Sequence, residues 1–289
     1  MISKNLLQRI IVAIIAIPGI VYLCYLGGRY LQALIVIMTA VGALEYLKST
    51  LALSLTTEQG KDRLGTLLFP LTLSWFAAVG IVVTHLEWGA APAVYLFLCY
   101  FLLIGLVISL RGEAPRDLFM LLVSLSWGVF YVSMLYPFLF HIRNASPDLV
   151  IVEPFFWVLT LWTTLWIGDT AAMWVGQKFG QRKLAPTVSP NKTVEGFIGG
   201  LLGALLVGLV AGFWLFSETS PALVAFGALI ISLVGQLGDL VESMWKRTVG
   251  IKDSSAFIPG HGGVLDRFDS LAFAAPALYG YLLIISRWQ

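Results

Sequence analysis

Charge is scarce in this chain of 289 residues: 12% are Asp, Glu, Lys or Arg and 58% are hydrophobic. A soluble domain carries roughly 25% charged residues, so an ordinary water-soluble fold is excluded. Cysteine is scarcer still. Cys24 and Cys99 both lie in apolar runs, which removes a disulfide framework or a cysteine zinc site and leaves two buried free thiols as the reading. Alternating segments of the kind that build a membrane β-barrel are missing, as are internal repeats. No polar stretch is long enough for a soluble domain; the one around 51–63 is too short. The first apolar run contains Pro18 and Gly19 but no A-x-A-like cleavage site, so it is read as a retained helix rather than a signal peptide. A net charge of +2 carries little information by itself, and no nucleic-acid partner is expected.

What the chain has is apolar length. Runs able to cross about 30 Å of hydrocarbon recur at roughly 10–27, 30–47, 64–84, 88–109, 118–140, 150–175, 195–216, 221–245 and 266–286. Lipid leaves open backbone groups unsatisfied, so these runs must be helices. The expected fold is an all-α polytopic transmembrane helical bundle of about nine helices. Orientation follows from the basic residues. With nine spans, all of the 18 Lys and Arg except Arg29, Arg143 and Arg287 fall on the side of the N-terminus. A wrong span count would scramble that asymmetry, so the N-terminus is expected in the cytoplasm of a cytoplasmic (inner) membrane, with the C-terminus outside. Residues 1–145 read as N-terminal transmembrane helices, a scaffold for lipid or a dimer contact. Residues 146–289 read as a C-terminal transmembrane region with cytoplasmic loops 176–194 and 246–265, and the motifs below make it the expected catalytic region.

Ionisable groups in apolar spans are expensive and usually functional. Glu45, Glu153, Asp169, Asp239 and Glu242 fall in or near spans. Asp239, Glu242, Ser243 and Lys246 share one helical face at spacings of three, four and seven. For Glu45 and Glu153, near span ends, the favoured reading is the plainer one, an interhelical polar contact or a snorkelling ion pair. Gly196, Gly199, Gly200 and Gly203 lie inside an apolar span with no strand before them, which suits close helix packing rather than a phosphate loop. His85 and His141 have no ligand-spaced partner and read as interfacial.

Between 243 and 270 the cations Lys246, Arg247, Lys252 and Arg267 surround the turn Pro259-Gly260-His261-Gly262-Gly263. Glycines let a backbone approach a ligand and aim N–H groups at it, and a following helix N-terminus favours an anion. The same helix start carries Asp266 and Asp269. Acids beside a phosphate site make sense with a divalent cation between them, since magnesium takes one or two carboxylates plus phosphate oxygens. Helix capping by Asp266 would leave the upstream cations and glycines unexplained.

The pattern Ser243-x-x-Lys246-Arg247, Lys252-Asp253, Pro259-Gly260-His261-Gly262-Gly263 and Asp266-Arg267-x-Asp269 resembles the signature of the phosphatidate cytidylyltransferases, or CDP-diacylglycerol synthases. Ser189-Pro190-Asn191-Lys192-Thr193-Val194-Glu195-Gly196 is similar to a second stretch of that family, and Gly168-Asp169-Thr170 and Gly235-Gln236-x-Gly238-Asp239 also fit. The resemblance covers about 155–275. Trp245 and Val194 depart from it and look like packing changes. It implies a nucleotidyltransferase of phospholipid biosynthesis: CTP and phosphatidate give CDP-diacylglycerol and pyrophosphate, with magnesium and with room for a second, monovalent cation. A homodimer in membrane lipid is also implied.

Roles follow as expectations. Asp239 and Asp266 hold magnesium, with Asp269 and Glu242 close by. Lys246, Arg247, Lys252 and Arg267 hold phosphates. The backbone of His261, Gly262 and Gly263 cradles a phosphate, and His261 donates to the departing pyrophosphate or simply to a phosphate oxygen. Ser189, Asn191, Lys192 and Thr193 form a second phosphate or cytosine wall. Ser243 and Asp253 belong to the same substrate site, and Asp169 lines the cavity or braces a cation. Three rivals stand beside this reading. A CTP-dependent polyprenol or phytol kinase would transfer the γ-phosphoryl and need a base for an alcohol. An ion-coupled transporter would show repeats and midplane acids. A CDP-alcohol phosphotransferase would carry an Asp-x2-Asp-Gly-type motif, which is absent.

Overall fold

The computed structural model describes residues 4–54, 64–146, 153–216, 218–260 and 262–287, and of 4–11, 52–54 and 64–66 the backbone alone. Nine helices of at least 20 residues and one of six fill most of these segments: α1 (Lys4–Leu26), α2 (Gly28–Ser54), α3 (Leu64–Trp88), α4 (Ala90–Ser109), α5 (Pro115–Met134), the short α6 (Phe138–Arg143), then α7 (Pro154–Phe179), α8 (Val194–Trp214), α9 (Pro221–Thr248) and α10 (Leu265–Ile285). Among the described residues the apolar runs of the sequence fall on these helices, with the first residues of the run 150–175 outside the described ones. The run 118–140 takes in α5, a break at 135–137 and α6.

Among the described residues seven stretches are long and apolar enough to cross a bilayer: Gly28–Leu51, Leu67–Trp88, Ala90–Ser109, Pro115–Arg143, Val194–Trp214, Pro221–Thr248 and Leu265–Ile285. The first helix contributes a shorter apolar stretch, Val12–Leu26. The 26-residue α7 carries Asp169 and Lys178 and is not one of these seven. The protein is an all-α polytopic integral membrane protein. Pro18, Pro70 and Pro276 sit inside helices, as membrane helices tolerate where neighbours re-satisfy the freed backbone.

The chain forms two compact units. The first comprises Met1–Ile14, Arg29–Pro137 and Thr248–Arg267. Within it α3 packs on α4 and α5, and α4 on α5. Glycine at 89, with φ of 87°, turns the chain between α3 and α4, where its amide donates to His85 O. Polar atoms facing apolar neighbours are tied to backbone: Thr39 Oγ1 donates to Val132 O at 2.9 Å and Trp75 Nε1 to Ala40 O at 2.9 Å. The α2–α5 contact has no room to spare, because a Cβ on Gly128 would strike the Tyr46 ring.

The second unit comprises Ile15–Gly28, Phe138–Arg247 and Phe268–Gln289. Its dominant contact is α7 against α8, and the glycines of α8 explain the closeness. A Cβ on Gly196 would lie 2.7 Å from Ala172 O, and one on Gly203 2.8 Å from the Ala171 methyl. The small-residue stripe packs two backbones together, as a membrane interface without water to expel requires. Between α7 and α8 lies a feature the sequence did not announce, a two-stranded antiparallel hairpin of β1 (Lys183–Ala185) and β2 (Ser189–Thr193), paired Lys183 to Thr193 and Ala185 to Ser189. Glu153, at the start of α7, pairs with Arg143 at 3.3 Å. Arg143 also donates to the carbonyls of Cys24 and Tyr25 at 2.8 Å each, closing the C-terminal end of α1. The plainer reading of Glu153 as a structural ion pair therefore holds.

Candidate active site

In the second unit the functional side chains gather where α9 ends. The helix turns Asp239, Glu242, Ser243 and Lys246 to one side, as their spacing requires. Lys192, projected by β2, reaches Asp239 with Nζ 2.6 Å from Oδ2. Ser243 Oγ donates to Asp239 Oδ1 at 3.3 Å, and Lys246 Nζ lies 3.5 Å from Glu242 Oε1. Asp269, one turn into α10, has Asp239, Glu242 and Lys246 as its charged neighbours. Three acids and two ammonium groups thus share one region, with Glu242 and Lys246 buried. Arg247 bends away to donate Nε to Val188 O at 3.2 Å, steadying the hairpin turn.

The rest of the second stretch divides its labour. Thr193 is buried and serves as the N-cap of α8, accepting from the Gly196 amide at 3.1 Å. Glu195 accepts from the amides of Gln181 and Arg182 at 3.0 and 3.1 Å and pairs with Arg182 Nε. These bonds lock the hairpin to the start of α8, so Lys192 is held at Asp239 by backbone pairing rather than by its own flexible stem. Asn191 is exposed, Ser189 is half-buried, and Asp169 is exposed on α7.

In the first unit the loop between α9 and α10 folds over itself. Ile258 N donates to Gly262 O at 2.8 Å, and Gly260 and Gly262 take φ of 75° and 83°, a left-handed backbone that favours glycine. His261, inside this turn, lies outside the described residues. A cavity of about 570 Å³ opens beside the turn, lined by Asp253, Ser255, Pro259, Gly260, Gly262 and Arg267 among others. That volume is within the usual range of small-ligand sites. Lys252 is exposed next to it.

Asp266 is built into the loop. Its Oδ2 lies 3.0 Å from Ser254 Oγ, a hydroxyl it shares with Glu45, and accepts from Ser254 N at 2.8 Å and Gly263 N at 2.8 Å. The last bond takes up an amide that the sequence offered to a phosphate. Glycine at 263 has a tighter reason, since a Cβ there would strike Ser254 Oγ and come 2.6 Å from Glu45 Oε2. Glu45 is the residue the sequence undervalued. It stands on α2, buried, and accepts four hydrogen bonds: Ser255 Oγ at 2.6 Å and Val264 N at 3.0 Å on Oε1, Ser254 Oγ and Leu265 N at 3.0 Å each on Oε2. The signal was present as a lone acid near the end of an apolar run, but its partners lie 209 to 220 positions away.

An oxygen-rich set of this kind suits magnesium rather than a softer metal. Among the described residues no three His, Cys, Asp or Glu side chains stand at metal-ligating spacing. A protein share of one or two carboxylates, completed by phosphate oxygens, is the arrangement magnesium ordinarily takes.

Comparison with known proteins agrees with these features. The cytidylyltransferase family matches residues 7–285. A phosphatidate cytidylyltransferase of Bacillus subtilis (strain 168) is 34% identical over 283 residues, 96% of this chain and 98% of that protein. One of Staphylococcus aureus (strain COL) is 36% identical over 209 residues, 70% of this chain and 76% of that protein. One of Staphylococcus haemolyticus (strain JCSC1435) is 47% identical over 122 residues, 42% and 47% of the two chains. On a family match from near one end to near the other, with relatives above 30% identity over most of both lengths, the chain belongs to the cytidylyltransferase family.

Proposed function

We propose that the protein is a phosphatidate cytidylyltransferase, making CDP-diacylglycerol and pyrophosphate from phosphatidate and CTP. Family membership and the names of its relatives support the reaction. The observation that carries the chemistry is the clustering of Asp239, Glu242 and Asp269 with Lys192 and Lys246 at the end of α9. An alcohol acceptor would need a general base. A phosphate monoester is already largely ionised near neutral pH, so one of its oxygens attacks the α-phosphorus directly. The α–β bridging P–O bond breaks, and pyrophosphate leaves with that oxygen. Such a reaction asks the protein for in-line positioning and charge neutralisation.

Asp239, with Glu242 and Asp269 beside it, would hold magnesium, and Asp266 carries the share that the family signature implies. A magnesium ion held by these carboxylates would supply charge neutralisation for the triphosphate and the departing pyrophosphate. Lys246 and Lys192 orient phosphate oxygens, and Lys192 exchanges its contact with Asp239 for one with substrate. Lys252 and Arg267 line or flank the loop cavity and bind phosphate. A homodimer in the inner membrane, with these groups open to cytosolic CTP, belongs to the same proposal; the concentration of Lys and Arg on the N-terminal side supports the orientation. The test supplies purified protein with phosphatidate micelles, magnesium and CTP labelled at either the α- or the γ-phosphate. Label from the α-position is expected in the lipid product, with stoichiometric pyrophosphate. Lipid labelled from the γ-position would identify a kinase instead.

A further inference from the structure

We infer that Glu45 is a positioning residue for the reaction: it holds both ends of the glycine turn at 256–262 and, through Ser254, the orientation of Asp266. This rests on the function proposed above. One carboxyl group receives Ser254 and Ser255 on the entry side of the turn and the amides of Val264 and Leu265 on its exit side. Fixing both ends of a short segment fixes its middle, and that middle forms the cavity wall at Pro259, Gly260 and Gly262. The contact is buried, so water does not substitute for a missing acceptor. Leu265 opens α10, and an acid against the first amides of a helix also satisfies its end and opposes its dipole.

The link to Asp266 is direct. Ser254 Oγ lies 3.0 Å from Glu45 Oε2 and 3.0 Å from Asp266 Oδ2. A hydroxyl has one hydrogen, so the serine is shared between two acceptors and its rotation answers to both. The pattern also explains why the residue is an acid. Two N–H and two O–H donors converge on two oxygens, and glutamine would turn its own NH2 group toward one pair of them.

The experiment compares Glu45→Gln, Glu45→Asp and the unsubstituted full-length protein in detergent, normalised to folded protein. Two quantities are read: kcat and KM for CTP and for phosphatidate, and hydrogen exchange of the backbone over 253–266. With Glu45→Gln, kcat/KM is expected to fall about 100-fold, the scale of an ångström-sized misplacement. Exchange should accelerate across 253–266 and stay unchanged in α3 to α5. A KM that rises for one substrate alone identifies whose phosphate the turn holds. Glu45→Asp keeps both acceptors and should recover part of the loss. Should Glu45→Gln fail to fold, Glu45→Asp alone decides, since a shorter acid must still loosen the turn and lower kcat/KM. Unchanged kinetics and unchanged loop exchange would overturn the inference, as would a loss of folded protein with normal kinetics in what remains. An unsubstituted protein inactive on CTP and phosphatidate, together with a loosened loop in Glu45→Gln, would refute the proposed function and keep Glu45 as the loop's anchor.

Discussion

Replacing either of two aspartates by asparagine should stop the reaction, but only one replacement should weaken the fold. Asp239 faces Lys192 at 2.6 Å, with the two side chains 30% and 29% exposed. Solvent screens such a pair, and ion pairs of this exposure contribute about 0–1 kcal/mol. The amide oxygen of an asparagine in its place could still accept from Lys192, and its NH2 group could donate to the Ser243 hydroxyl, which would then accept, so the change in stability should stay below about 1 kcal/mol. The reaction is a different matter: removing one fixed charge that opposes charge developing in a transition state costs roughly 100- to 1,000-fold in rate. Asp266 differs because its Oδ2 receives the amides of Ser254 and Gly263 and shares the Ser254 hydroxyl with Glu45. An asparagine oxygen could take the place of Oδ2 but without its charge, and charge-assisted bonds are about twice as strong as neutral ones, so the replacement should destabilise the protein by about 2 kcal/mol. The assay follows label from α-labelled CTP into lipid across a magnesium titration, beside thermal melting in detergent. For Asp239→Asn the expected result is a normal melt, a large loss of turnover and a higher magnesium requirement. Turnover and magnesium dependence close to those of the unsubstituted protein would refute Asp239 as a ligand. An Asp266→Asn melt as normal as that of Asp239→Asn would refute the loop-bracing geometry.

Further outcomes follow from individual contacts. Thr193→Ala removes the cap of α8 and should lower stability by about 1 kcal/mol, read as a lower melting temperature. Gly203→Leu drives a side chain into Ala171 across the α7–α8 contact; overpacking there should cost about 1–3 kcal/mol and reduce the yield of folded protein. Chelation with EDTA should abolish label transfer, and added magnesium should restore it. Persistent transfer under chelation would remove the metal from the mechanism.

The helices were legible because membrane spans are written in bulk composition. The apolar runs became helices, one of them broken in two at 135–137, and the glycines of α8 marked a close helix contact without naming its partner. The face carrying Asp239, Glu242, Ser243 and Lys246 was equally legible, since helical spacing alone fixes it. The hairpin was not. Ser-Pro-Asn-Lys-Thr has no apolar alternation, and Pro190 has no amide to give; pairing is imposed by the bonds that Glu195 and Thr193 make at the start of α8. Glu45 was visible as a costly residue, but nothing local names its partners. A contact across more than 200 positions is decided by how helices assemble, which single-sequence spacing does not encode.

The orientation can be tested inside one unit without reference to the reaction. Arg182 stands exposed at the base of the hairpin, and Arg287 follows the end of α10. Three helices separate them, α8, α9 and α10, each long and apolar enough to cross a bilayer. An odd number of crossings puts two points on opposite sides, and the proposed orientation, which rests on the distribution of Lys and Arg, would place Arg182 in the cytosol. Cys24 is buried and protected, so Cys99→Ala leaves a background quiet to thiol reagents. In that background Arg182→Cys should react with a membrane-impermeant maleimide only in inside-out vesicles, and Arg287→Cys only in right-side-out cells. Labelling of both from one side would mean that one of the three helices does not cross. The reverse pattern would invert the protein, and the charged ends of α8 and α9 would then face a compartment that holds no CTP.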